Sequence, residues 1–394
     1  MTLNVNTDNI RRLCRAAGPV LVRGAKIVLR ITRAIGSQTA QVMRYLYFVK
    51  DYDNFEVNIP LRKRFWAWRR GFLSEMVVLL KLDEQNRFQY LPDIPHRLQA
   101  SPIQGIGLAN ITINKFVLPY LFHDYKEHLV PYYYILLRGR IIPVDPQMEG
   151  RAGTIGDIVH CAGLSNGIIL KPYFYGSGGH GVFLLEHRKG KMFLDHRQIS
   201  ERDLHGFIQS LDEYVITPAV IQAEYSQKIF PDCANTLRVM TYWDYDENEP
   251  FIGAIIHRFG RKESAPTDNW CRGGICCGVD RTSGKLTRAV GRPDGSGERW
   301  YPEHPDTGAP IEGVTVANFD LVCQKVIEMC QKTRFLCHIA WDVVVTEKGF
   351  VVLEINCTPG VGLVQVFTPL LADRRLRKFY MEYEPYLKRY GYRA

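Results

Sequence analysis

Three side chains near the carboxyl end, Asp342, Glu354 and Asn356, could hold a hard cation. They lie in IAWDVVVTEKGFVVLEINCTPG, residues 339–360, where apolar and other residues alternate on both sides of Glu347-Lys348-Gly349. The pattern predicts a β-hairpin with a three-residue loop closed by Thr346 and Phe350. Counting back from that loop sets Asp342 opposite Glu354, with Asn356 two residues farther along the same face. Two facing carboxylates in an apolar sheet repel unless a cation sits between them. An all-oxygen set of this size suits Mg²⁺, which keeps water and phosphate oxygens in the rest of its shell. The strands are too apolar for a hairpin whose polar face is merely wet, and Pro359-Gly360 stops the second strand just past the cluster.

A second candidate is the glycine-rich run 175–181, with GxGxxG at Gly176, Gly178 and Gly181 and with Ser177 and Gly179 between. A dinucleotide fold needs a helix after such glycines, but here strand patterns at 167–172 and 182–186 flank them, so the loop caps a hairpin. No GK[ST] follows, which excludes a P-loop, and a protein kinase would place its lysine after the loop and carry HRD and DFG signatures. Lys171 precedes the loop instead. Amides freed from side-chain bulk can wrap phosphate oxygens. Strands over 235–242 and 251–258, turned at 247–250, add two arginines. If Asp244 pairs with Ile252, Arg238 falls opposite Arg258, and two adjacent guanidiniums call for an anion between them.

The elements that must position these groups fit a chain of 394 residues that is 46% hydrophobic, enough for two or three lobes. Helices are expected at 116–122, 157–161, 200–211 and 318–333, further strands at 132–137 and 141–144, and an irregular linker around Pro92, Pro95 and Pro102. The aromatics among basic residues at 62–68 read as one helix face rather than a nucleic-acid stacking platform. Ten cysteines contain no CxxC pair, which disfavours a zinc site at Cys271, Cys276 and Cys277 and suits a reducing cytosol. Cys323, Cys330 and Cys337 recur at the spacing of buried helical thiols. The formal charge is +9, yet residues 1–50 hold nine Lys or Arg against the single Asp8, leaving one net charge for the other 344 residues. That asymmetry excludes a general nucleic-acid footprint. It marks a basic segment whose stretch 26–35 has near-helical apolar spacing, too short to cross a bilayer but suited to an anionic membrane surface, or to packing on the protein's own body.

Asp342 followed by Glu354-x-Asn356-x-x-Pro359-Gly360 is similar to the metal-binding end of the ATP-grasp superfamily, and strand, Lys171-Pro172, glycine loop, strand resembles its lid. Arg70-Gly-Phe, Asn235-Thr-x-Arg238, Asn269-Trp270, His304-Pro-Asp-Thr-Gly308 and Trp341-Asp342 resemble the sugar-transfer-associated branch, over roughly residues 65–367. The resemblance implies an α+β ATP-grasp fold, two α+β lobes clasping ATP, with a basic helical extension at 1–60. A leading region at 61–165, a lid subdomain at 166–225, a metal-bearing subdomain at 226–370 and a helical tail at 371–394 would follow. It implies that Lys115, Lys171 and the Gly176, Ser177, Gly178, Gly179 and Gly181 loop hold ATP phosphates, and that Gln222, Ala223 and Glu224 meet adenine. It gives Asp342, Glu354 and Asn356 one or two Mg²⁺, with Mn²⁺ as a substitute, and sets Arg238, Arg258, Arg261 and Asn269 at the reacting groups.

The activity implied is a cytoplasmic, ADP-forming carboxylate-amine ligase, working through an acyl phosphate, in polysaccharide or specialised-metabolite assembly. A small-molecule or sugar kinase using the same site is the alternative, and a non-enzymatic nucleotide-sensing or scaffold protein at a glycan-assembly membrane is a third class. No nucleic-acid partner is implied. Attachment through residues 1–50 to the inner face of a membrane would gain about 1 kcal/mol per Lys or Arg that reaches it. Glu354→Ala is expected to abolish turnover while leaving the fold largely intact, because one carboxylate alone leaves phosphate charge under-neutralised. Near-normal Mg²⁺-dependent activity in that variant would remove the metal assignment.

Overall fold

In the computed structural model the described residues are 40, 42–99, 107, 108, 112, 114–145, 148, 150–164, 166–174, 180–357, 359–384 and 386–393. They fall into two compact units, residues 1–53 and 54–394. In the first, residues 42–52 are helical; the stretch 26–35 lies outside the described residues.

The second unit holds two antiparallel sheets of seven strands each among the described residues. The first comprises β1 (Tyr134–Leu137), β2 (Arg140–Pro143), β3 (Ile168–Pro172), β4 (Phe183–Arg188), β5 (Lys191–Leu194), β6 (Arg197–Ile199) and β7 (Tyr214–Pro218), in the order β2-β1-β7-β3-β4-β5-β6. It takes strands from both sides of residue 165, where the sequence suggested a boundary. Helices Ile155–Leu164 and Glu201–Ser210 bury Ile158, Cys161, Leu204 and Ile208 against Tyr134, Leu136, Ile168, Leu170 and Ile216. The second helix starts where expected, with the Ser200 hydroxyl accepting from the Asp203 amide. Because side chains alternate along a strand, Lys171 turns away from this helical layer. The hairpin joining β4 to β5 went unread in the sequence. Its turn, Lys189-Gly190, has both residues at positive φ, the geometry that matches the twist of paired strands.

The second sheet comprises β8 (Leu237–Asp244), β9 (Glu249–Phe259), β10 (Ile275–Val279), β11 (Leu286–Val290), β12 (Trp300–Tyr301), β13 (His338–Thr346) and β14 (Gly349–Asn356), in the order β12-β11-β10-β9-β8-β13-β14. One face, with Leu237, Val239, Ile255, Trp341 and Val343, is covered by helix Phe319–Lys332 through Val322, Val326 and Met329. That helix holds Cys323 and Cys330, whereas Cys337 lies outside it, just before β13. The other face is apolar at one end, where Met240, Tyr242, Ala254 and Ala340 pack on Phe72, Met76, Leu376 and Tyr380. Toward the other end it turns polar, at Arg238, Arg258, Asp342 and Glu354. Among the covering helices is Asp93–Gln99, where a linker was expected. Pro95 sits in its first turn, where a missing N–H costs nothing.

Two registers differ from the counting above. In β8–β9, Asp244 faces Glu249, and Gly253 is an extra residue between Met240↔Ala254 and Thr241↔Ile252, so Arg238 pairs with Ile256 instead of Arg258. A Cβ at Gly253 would stand 2.5 Å from the Tyr242 ring and 2.7 Å from Leu376, which is why glycine occupies the bulge. In β13–β14 the turn is tighter than expected, with Thr346 facing Gly349, but a bulge at Leu353 restores Asp342 opposite Glu354.

The link between the sheets is tied down by Gln222. Its buried amide donates to the carbonyls of Phe230 (2.9 Å) and Cys233 (2.9 Å) and accepts from the Ser226 hydroxyl (2.8 Å) and the Asn235 amide (3.0 Å). Gln222→Leu is expected to cost about 2–4 kcal/mol, since buried groups on four residues lose a partner at once. Urea unfolding measures this; a cost below about 0.5 kcal/mol would show the network to be dispensable.

Candidate active site

Asp342 is buried between its strand neighbours, and its carboxylate is held by two guanidiniums. Arg238 Nε reaches Oδ1 and Nη2 reaches Oδ2, both at 2.8 Å, in the bidentate geometry of β8 beside β13. Arg258 Nη2 lies 3.1 Å from Oδ2. The two arginines share an anion as the sequence suggested, but they do so diagonally, and the anion is the protein's own. Burial by itself would raise the Asp342 carboxyl; the charges of Arg238 and Arg258 outweigh it and hold the group well below the usual carboxylate range. Its contribution to stability is therefore present above about pH 4 and lost as pH falls through the folded value.

Arg258 is fixed in turn by the Thr236 hydroxyl and by Asp268, whose Oδ2 lies 3.4 Å from Nε and accepts the Thr236 amide at 2.9 Å. Next in sequence, Asn269 leaves a buried Oδ1 without a hydrogen bond among the described residues. This is an acceptor waiting for a donor.

Glu354 stands across from Asp342 in the β13–β14 register. Lys115 Nζ lies 3.2 Å from Glu354 Oε2, and Asn356 Nδ2 lies 3.4 Å from Oε1. Lys115 is placed by Asn114, whose side chain accepts the Phe116 amide at 3.0 Å, by a bond from its own amide to the Tyr173 carbonyl (3.0 Å), and by the Tyr132 hydroxyl on its carbonyl (2.7 Å). The cleft there is lined by Thr112, Asn114, Lys115, Leu118, Leu121, Glu354 and Ile355. Lys171 is buried nearby with no hydrogen bond or ion pair to its ammonium among the described residues. Burial first, then the charge of Lys115, pushes its pKa down to about 8, with Glu354 opposing.

The donor set fits a hard divalent cation. Two carboxylates close enough to repel, with an amide oxygen available on Asn356, make an all-oxygen site. Among the described residues no group of three or more His, Cys, Asp or Glu side chains is arranged to hold a metal, and here the third oxygen comes from an amide.

The remaining sequence candidates are placed otherwise. Arg261 is engaged by Asp306 (2.9 Å) and Glu263 (2.8 Å), within a loop that His304 pins through the Gly260 carbonyl (2.8 Å). Gln222, Ala223 and Glu224 do not offer an adenine site. The Gln222 amide is fully used in the link, the Ala223 amide donates to the Val345 carbonyl (2.8 Å) while its carbonyl accepts from Ser226 and Gln227, and the Glu224 carboxylate points out to Lys228 (2.7 Å). The competing demand is structural: this segment must cap helix Glu224–Ile229 and join it to β13. Gly176, Ser177, Gly178 and Gly179 lie outside the described residues. Gly181 has φ +72°, and a Cβ there would meet the Tyr214 hydroxyl at 2.5 Å. Asp268 and Thr236 went unread; the signal was Thr236 inside the Asn235-Thr-x-Arg238 run.

A family profile described as sugar-transfer associated ATP-grasp matches residues 129–379. A search of curated proteins finds no match. Among similar solved structures, D-alanyl-alanine synthetase A from Vibrio cholerae shares 15% identity at a TM-score of 0.38, over 69% of this chain and 64% of that one. N5-carboxyaminoimidazole ribonucleotide synthetase, purK, in its ADP complex shares 12% at 0.35, over 68% and 52%. D-alanine–D-alanine ligase from Bacillus anthracis shares 13% at 0.37, over 71% and 70%. The chain thus spans only about half to two thirds of the first two.

A lysine held near pKa 8 is a stored cost. The folded state sheds the proton earlier than the unfolded chain, so charged Lys171 destabilises the fold below pH 8 by about 3 kcal/mol, and the penalty fades as pH rises toward 10.5. Lys171→Met is expected to raise stability at pH 7 by about 1–3 kcal/mol, to lose that advantage near pH 10, and to abolish ATP binding. Urea titrations at the two pH values and calorimetry with ATP check this; a destabilised variant that still binds ATP would reverse the reading.

Proposed function

The chain belongs to the sugar-transfer associated ATP-grasp family, and from that membership we propose an ADP-forming ligase that joins a carboxylate to an amine. One observation carries the reading: Asp342 and Glu354 face each other where Arg238, Arg258 and Lys115 converge, with Lys171 close by. Four cations against Asp342, Glu354 and Asp268 leave one positive charge over, which suits a polyanion that brings its own divalent cation.

In the proposed reaction a carboxylate oxygen of the acid attacks the γ-phosphorus of ATP, and the bridging oxygen departs with ADP. The amine nitrogen then attacks the acyl carbon, the acyl carbon–oxygen bond to phosphate breaks, and the proton on nitrogen passes to the departing phosphate. Little covalent work falls to the protein; positioning and charge neutralisation do most of it. Asp342, Glu354 and Asn356 would hold Mg²⁺, which would supply charge neutralisation at the phosphates. Lys115 and Lys171 bind the phosphates, the Gly176–Gly181 loop covers them, and Arg238 and Arg258 spread the charge that develops on the migrating phosphoryl group. Asn269 Oδ1 accepts a hydrogen from the incoming amine. Arg261, committed to Asp306, positions the His304–Gly308 loop instead of touching the reactants.

ADP release measured against panels of acids and amines, including amino acids and sugar-linked carboxylates, tests the proposal. Turnover that requires both an acid and an amine is expected. ADP formation supported by a hydroxyl compound alone would replace the ligase with a kinase.

A further inference from the structure

The helix over residues 42–52 turns an apolar row to solvent. Val42, Met43, Leu46 and Tyr47 are 58, 46, 56 and 57% exposed. Their spacing, i, i+1, i+4 and i+5, sets them on one face, which exposed Lys50 continues at i+8 and exposed Arg44 flanks. Val49 is buried and Tyr45 and Phe48 are half-buried, so the helix has a sheltered side and this row is not it. A contiguous apolar row left wet at the end of a basic segment marks a contact surface.

Charge selects the partner. Residues 1–52 carry nine Lys or Arg against Asp8 and Asp51, so a second copy of the same segment would meet like-charge repulsion, and a neutral groove would leave the charge unused. An anionic bilayer satisfies both features. No helix among the described residues is long and apolar enough to cross a membrane, so the contact is with its surface. We propose that helix 42–52 is a peripheral anchor for anionic phospholipid, seating Val42, Met43, Leu46 and Tyr47 at the boundary of headgroups and acyl chains with Lys50 at the phosphates. Tyr47 suits that depth, since its ring is apolar and its tip polar. This attachment stands whatever reaction the second unit performs.

The full-length chain, sedimented with vesicles of phosphatidylcholine alone or mixed with phosphatidylglycerol, tests the anchor. Binding to the anionic vesicles is expected to be tighter by at least about tenfold and to weaken with salt. Met43→Asp/Leu46→Asp is expected to lower it by at least about tenfold, as loss of apolar insertion requires. Equal binding to both vesicle types, or a double variant that binds like the parent, overturns the proposal. So does a dimer of the parent that the double variant dissolves, because a second copy would then be the partner. Tyr47→Trp provides a check that does not depend on the aspartates being tolerated: its emission is expected to shift to the blue on anionic vesicles, and an unshifted spectrum rules out insertion.

Discussion

The buried carboxylate of Asp342 is the constraint to which the rest of the site answers. It lies on β13, between β8 and β14, where water cannot solvate it, and a carboxylate so placed survives as an ion only if the lost hydration is replaced. Arg238 does this from the adjacent strand with a bidentate grip, and Arg258 completes it from one strand farther out. Arg258 itself would be an uncompensated buried charge without Asp268 and Thr236, so the loop that carries Asp268 is tied to the sheet by the same logic. Removing a single member leaves an unpaired ion behind, which is why such clusters behave as units.

The distribution of lone pairs on Asp342 matters for what the cluster can accept. Oδ2 takes hydrogens from both arginines and Oδ1 from Arg238 alone, so Oδ1 keeps the freer lone pair. Glu354, more exposed and paired with a single lysine, is the adaptable partner. Lys171 adds a different kind of tension. A neutral residue there would be cheaper to bury, and the free energy held by the lysine is recovered only when an anion arrives. Under the proposed function, nucleotide and divalent cation would bind better together than either alone, since each offsets the charge that the other would leave unbalanced.

Much of this was legible because period-2 alternation is a strong constraint. Asp342 and Glu354 face each other as counted, although the tighter turn at Glu347-Lys348 alone would have slipped the register by one; the bulge at Leu353 cancels it. For Arg238 and Arg258 the count misses by two residues, because the turn closes at Asp244↔Glu249, three residues earlier than Asp244↔Ile252; the bulge at Gly253, dictated by the Tyr242 ring and Leu376, takes back one residue and keeps both arginines on one face. Gln222 was misjudged for a related reason: a polar residue near a strand end looks the same whether its amide serves a ligand or four buried groups of the chain. Helix Asp93–Gln99 was hidden by Pro92 just before it and Pro95 within it, since proline breaks a helix interior but suits the first turn.

The family match begins at residue 129, yet the helices before it are joined by buried polar bonds to the segment that follows β14. His96 Nε2 contacts the carbonyl of Pro359 at 3.1 Å while Nδ1 contacts Glu384 at 2.8 Å, and Gln365 exchanges two bonds with the backbone of Leu91, at 2.6 and 2.9 Å. Pro359 and Gly360 are the residues that stop the chain just after Asn356. The Arg97 guanidinium lies 3.0 Å from where a Cβ of Gly360 would stand, so glycine there lets the helical cover close on the strand exit. With its exit anchored on both sides, β14 cannot slide along β13, and a slide of one residue would carry Glu354 to the opposite face. The covering helices therefore act on the site through register: they hold the carboxylate pair opposed without touching either member.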